Sequence, residues 1–117
     1  MNRFNKFKVI FHMQEHVKVG LWLNNIVNLI SDIGPEYLEI EMITNGDAVK
    51  ALVRKTSQFG PMLQELAEKE VVFCACENSM RNFGIHKSDL LDFVNVDTSS
   101  GSNIVRKRAA GWTYICP

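Results

Sequence analysis

"VVFCACENSMRNFG", residues 71–84, holds the transition that decides the fold. The apolar run 71–76 is short, rich in β-branched and aromatic residues, and stops at a cysteine, with Glu77 and Asn78 following at once. A run apolar on both faces suits a strand of a parallel sheet covered on both sides. It is the most continuously apolar run in the chain, so its expected place is the centre of the sheet. A short helix is expected over 78–83, ending at Gly84. In an open parallel sheet, ligands gather beyond the carboxyl ends of the strands. Cys76 falls at such an end, beside the unpaired N–H groups of a helix start, where a thiolate is stabilised. Glu77 opposes this with a neighbouring negative charge. The competing reading of Cys76 is a buried structural cysteine. Cys74 points to the same face one pleat deeper and is read as core. The C-x-C spacing is not that of a structural zinc pair, and no second ligand pair occurs. Cys116 is read as packing or as an incidental exposed thiol.

Outward from this stretch, strand and helix alternate. "FKVIFHM", 7–13, reads as a buried strand, and 18–33 as a helix. The apolar face of that helix is Val19, Trp22, Leu23, Ile26, Leu29, Ile30 and Ile33, and Gly34-Pro35 stops it. "YLEIEMITN", 37–45, alternates, with Glu39 and Glu41 opposite Leu38, Ile40 and Met42. That pattern predicts a strand half exposed, or near an edge or a subunit contact. Asn45-Gly46 breaks it, and helical spacing follows through Val49, Leu52 and Val53. "TSQFGP", 56–61, is linker-like, and Pro61 fits the first turn of a helix over 61–69. Beyond Gly84, Ser88 is a candidate N-cap in "KSDLLDF" and "VNVD" is a short strand. "GSNIVRKRAAG" is a helix capped by Ser102 or Asn103, and "WTYIC" is a last strand. The sum is one α/β domain over 1–117, a three-layer arrangement with a mostly parallel sheet of about five strands and right-handed crossovers.

The 117 residues carry no net formal charge, which gives no general attraction for nucleic acid or acidic lipid. Hydrophobic residues make up 46% and charged residues 22%, the balance of a soluble globular chain. No signal-peptide pattern is read at the N-terminus, and no run reaches the ~18 apolar residues of a membrane span. An odd count of three cysteines in a chain able to fold without disulfides points to reduced thiols, and so to the cytoplasm.

"HMQEH", 12–16, matches H-x-x-E-H, a zinc-protease pattern that requires both histidines on one helical face. Here His12 ends a strand and the helix begins only near Lys18, so no metal is expected. His12 and Glu15 are instead placed on the same rim as Cys76, where a histidine could exchange protons near neutral pH, or serve only as a loop residue. His86 is read as a capping or surface residue, and Arg106-Lys107-Arg108 as a solvated helix face. No Walker loop, G-x-G-x-x-G or G-x-S-x-G occurs, and no cofactor is expected.

The chain resembles the DsrE/DsrF-like family of small sulfur-relay proteins. The likeness runs through "KVIFHM", "LNNIVNLI", "ITNGDAVKAL", "ELAEKEVVFCACENSM", "GIHKSDLL" and "AAGWTYICP", and is most specific at Asn45-Gly46, Cys76-Glu77-Asn78 and "GWTYI". The resemblance implies a flavodoxin-like fold, a trimer or hexamer, and a cysteine after the third strand that carries sulfur as a persulfide. That cysteine maps onto Cys76. Cys74 and His86 depart from the family pattern. The expected function is a sulfur carrier in which Cys76 accepts sulfane sulfur and passes it to a partner thiol, with His12 moving the proton. Glu15, Asn45, Gly46, Glu77 and Asn78 would line the binding rim. The alternative is a non-catalytic oligomeric module binding a small anion or a protein at that rim.

Overall fold

The computed structural model describes residues 6–116. Five parallel strands, β1 (Phe7–Met13), β2 (Leu38–Thr44), β3 (Val72–Cys76), β4 (Val94–Asp97) and β5 (Thr113–Ile115), form one sheet in the order β4-β3-β2-β1-β5. The helices are α1 (Val19–Ile33), α2 (Gly60–Glu68), α3 (Glu77–Asn82) and α4 (Ser100–Ala109).

The layers follow from the strand order. From β1 to β4 the chain steps across the sheet in one direction, then returns past β3, β2 and β1 to place β5 beside β1. Right-handed crossovers put every helix of the outward run on one face, and the reversal puts α4 on the other. The core divides accordingly. Val9, Phe11, Met13, Leu38, Ile40, Met42, Phe73 and Ala75 pack with Val19, Leu23, Ile26 and Ile30 of α1 and Leu63 and Leu66 of α2. Beneath α4 the apolar cluster is small: Ile10, Ile43 and Trp112, with Ile104 against them. Each large aliphatic fully buried on the main face contributes about 1.5–3 kcal/mol.

Five expectations are corrected here. The strand of Cys76 is not central; β2 is, with β3 one place toward the edge. The alternation of β2 therefore does not mark an edge: Glu39 is exposed, but Glu41 is buried under α4. The helical spacing after Asn45 is realised as a 3-10 segment, Gly46–Leu52, that ends where Val53 turns extended and bridges Leu90. Ser99, not Ser102 or Asn103, caps α4, accepting the Ser102 N–H at 3.3 Å. His86, not Ser88, stands at the N-cap of the 3-10 turn Lys87–Asp89, where Asp89 accepts its N–H at 2.8 Å.

Candidate functional site: a thiol between two helix starts

The chain leaves β3 toward one face, into α3, and leaves the adjacent β4 toward the other, into α4. The carboxyl ends of β3 and β4 are thus the point where the connections diverge, and such a point leaves a crevice. Cys76 lies there, paired in register with Asp97 and standing at the N-cap of α3. Its side chain is buried.

Burial alone would raise its pKa, since a thiolate loses hydration. Four donors outweigh that. The Ser79 N–H, the Ser100 hydroxyl, the Ser100 N–H and the Ser79 hydroxyl turn to the sulfur and bring its pKa down to about 7. The Ser100 Oγ is buried and makes no other hydrogen bond, and its hydroxyl lowers the Cys76 pKa. Ser79 is itself held: its Oγ accepts the Gly46 N–H at 2.9 Å. Gly46 has φ +56, and a Cβ there would lie 2.5 Å from the Gln14 carbonyl oxygen. This turn accepts only glycine, and through it the end of β2 is tied to the first turn of α3.

Cys74 has the opposite environment. It is buried beside Asp97 and Glu41, and its pKa is pushed far above the ordinary thiol range. Burial comes first among the causes, then its hydrogen bond to Asp97 and the charges of Asp97 and Glu41, partly offset by Lys107. Its surroundings are polar, against the apolar core expected. Glu41, Cys74 and Asp97 bring donor atoms within 4.8 Å of one another, but Asn103 and Lys107 already occupy the carboxylates.

His12 belongs to a neighbouring cluster. An amide oxygen can only accept, so His12 Nε2 donates to Asn45 Oδ1 at 3.1 Å, and Nδ1 then accepts from the Tyr114 hydroxyl at 2.6 Å. Burial lowers the pKa of His12 against the raising effect of the Asn45 bond. That of Tyr114 is pushed up to about 12 by burial, by its hydrogen bond with Cys116 and by the charge of Cys116. β2 lies between β1 and β3, which sets those chains roughly 10 Å apart, and both ring nitrogens of His12 are engaged away from Cys76. The link between the clusters is the Asn45–Gly46 peptide, one residue serving His12 and the next serving Ser79. Glu15 is exposed and pairs with Lys18 at 3.3 Å. Glu77 pairs with Arg81 at 3.3 Å, and Asn78 bonds the same guanidinium. His16 uses its backbone N–H on Asp47 at 2.8 Å, and its ring faces Phe59, so "HMQEH" is not assembled as a metal site. Sequence reasoning missed Ser79, Ser100 and Tyr114. A serine three residues after a strand-ending cysteine was a readable signal for the first; the other two need the strand order.

A pH profile checks the environment of Cys76. The rate of its alkylation is expected to rise with a midpoint near pH 7. Cys74 should stay unmodified across the same range. An ordinary midpoint, about 8.5, would contradict the donor arrangement.

A parallel α/β domain with a buried thiol at its topological crevice has flavodoxin-like architecture. The sequence model of the DsrE/DsrF-like family matches residues 5–117, and the chain belongs to that family, which is linked in general to sulfur relay. Among solved structures it is similar to the protein of unknown function MTH1491 from Methanobacterium thermoautotrophicum. That likeness has 35% identity and a TM-score of 0.88, over 96% of this chain and 100% of that one. The ychN protein of E. coli shares the fold at 18% identity and a TM-score of 0.75, covering 97% and 99%. The conserved protein of unknown function BT1422 from Bacteroides thetaiotaomicron does so at 17% and 0.74, covering 94% of each chain. No curated protein matches the sequence. Among the described residues, no helix is long and apolar enough to cross a membrane.

Proposed function

We propose that the protein is a sulfur carrier that works through Cys76. The observation carrying this reading is the set of four donors on a buried sulfur whose pKa falls to about 7, which supplies a nucleophile at neutral pH. The Cys76 thiolate attacks the terminal sulfur of a persulfide or polysulfide. One S–S bond forms, the donor's S–S bond breaks, and the donor leaves as a thiolate. The Cys76 persulfide then gives its outer sulfur to an acceptor thiolate, and the Cys76 thiolate is restored as leaving group. No external oxidant or reductant is consumed, because the sulfur moves at constant oxidation state. The donors on the inner sulfur favour it as a leaving anion. In this reading His12 acts through Asn45, holding the turn that presents Gly46 to Ser79. A reducing compartment such as the cytoplasm suits three cysteines that form no disulfide. The test is intact-mass and peptide analysis after incubation with polysulfide. One added sulfur atom on Cys76 is expected; an unmodified Cys76 would leave a non-catalytic anion- or partner-binding module as the better description.

We also propose a homo-oligomer, trimeric or hexameric. The support is the thin cover of one sheet face by α4 alone, with Val72 and Tyr114 exposed on that face and Val105 exposed on the helix. Phe83 is also exposed and carries the Lys50 ammonium 4.6 Å above its ring, whereas Trp112 is buried. Light scattering at micromolar concentration is expected to give a multiple of 13.3 kDa; a monomer mass would refute the assembly.

A further inference from the structure

Ser100, Asn103 and Lys107 recur at steps of three and four residues, which places them on one face of α4. That face lies on the sheet, and the three side chains run back along the strand of the two cysteines. Asn103 Nδ2 donates to Glu41 Oε2 at 2.7 Å and to Asp97 Oδ2 at 2.6 Å. Its amide oxygen accepts from Lys107 Nζ at 2.8 Å, and Lys107 also pairs with Glu41 Oε1 at 3.3 Å. Glu41 is on β2 and Asp97 on β4, so the amide spans β3, the strand of Cys74 and Cys76. Both of its N–H groups and its carbonyl are used. Asparagine is a poor helix former, and burying its amide costs free energy unless it is satisfied. At 7% exposure, a leucine would fill the same buried place more simply. The polar choice needs a reason, and the neighbour one turn earlier supplies it. Ser100 is buried and lies on the residue pair Cys76–Asp97 at the strand ends.

We propose that Asn103 is a positioning residue for Cys76: by joining Glu41 to Asp97 across β3 it fixes the first turn of α4, keeps the Ser100 amide and hydroxyl on the sulfur, and ties down the two carboxylates beneath it. The proposal deepens the reading of Cys76 as a reactive thiol and rests on it. The charged and titratable groups around that thiol are Glu77 on α3, Asp97 on β4 and Cys74 on β3, with Glu41 on β2 and Lys107 on α4 one layer below. Asn103 or its two bonded carboxylates touch all of them except Glu77.

The test is the pH dependence of Cys76 alkylation by iodoacetamide in the full chain, with each cysteine followed by mass spectrometry. Asn103→Leu is expected to raise the midpoint by about one pH unit, a roughly tenfold loss of thiolate below it. Asn103→Ser, whose single hydroxyl can serve one carboxylate, should give an intermediate rise. Ser100→Ala should raise the midpoint by itself, and the double variant with Asn103→Leu should add less than the sum, because both act on the same donors. A wild-type midpoint in folded Asn103→Leu, or full additivity in the double variant, would overturn the proposal. If Asn103→Leu does not fold, Asn103→Ser decides: a raised midpoint supports the role and an unchanged one refutes it. Alkylation needs no sulfur donor. A wild-type protein that takes up no sulfur would remove the carrier reading while leaving this result in place.

Discussion

Cys76→Ser is expected to abolish sulfur loading from polysulfide while leaving the folded structure intact. Three cysteines are present, so the claim is that neither of the others substitutes. Cys74 lies one pleat deeper, buried, and bonded to Asp97 with Glu41 close by. Forming a thiolate there would put a third negative charge beside two carboxylates, so at neutral pH it stays protonated. Cys116 is exposed and accessible, but it sits beyond β5, at the far side of β1 and β2 from the crevice. Neither has the two serine amides and hydroxyls that hold Cys76 near pH 7. Against an ordinary thiol, a pKa lower by one to two units gives about a ten- to thirtyfold larger thiolate fraction at neutral pH. Serine is near in size to cysteine and can accept from the same donors, so the thermal midpoint should move little. Peptide mapping reads the result: sulfur on Cys74 or Cys116 of the variant, at the wild-type level, would reassign the site. Cys74→Ser should be mild, because a serine hydroxyl can donate to Asp97 as the thiol does.

The second large effect is expected at Gly46. Gly46→Ala forces an L side chain to φ +56 and drives its Cβ to 2.5 Å from the Gln14 carbonyl oxygen, a backbone atom that cannot swing away. Positive-φ strain and the clash together should cost about 2–4 kcal/mol. Gly84 supplies the control: its φ is +66, but nothing lies within 4 Å of an added Cβ. Gly84→Ala should therefore cost only about 1 kcal/mol, the conformational part alone. Denaturant midpoints at unchanged slope measure both. The Gly46 variant carries a further consequence that the Gly84 variant does not. Displacing residue 46 moves the N–H that orients the Ser79 hydroxyl, so the alkylation midpoint of Cys76 should rise. Equal losses for the two variants would mean that the turn yields more readily than its geometry implies.

The alternation of strand and helix was legible because each element needs only its own residues. β3 reads as a strand from six neighbouring side chains, and α1 from one apolar stripe. The position of Cys76 at a strand end was legible for the same reason. What the sequence hid depends on which strands are neighbours. Glu41 alternates with apolar residues in the same way whether it meets solvent or a buried amide 62 residues away, and only the central place of β2 decides. The stripe Ser100–Asn103–Lys107 reads as ordinary polar helix surface until the reversal of the chain lays α4 over β3. The ring partners of His12 were hidden for the same reason: Asn45 follows β2 and Tyr114 is on β5, and only the pairing β2-β1-β5 brings both to it.

That reversal also sets a timetable for the thiol. β5 pairs with β1 across nearly the whole chain, Val9 opposite Thr113, and contacts of such long sequence separation close late in folding. Half of the donors on Cys76 belong to Ser100, at the head of the helix that this final strand anchors. A chain that has folded only its first three strands and α3 would hold Cys76 with the Ser79 donors alone. The Ser100 half of the donor set is completed only when the last segment docks.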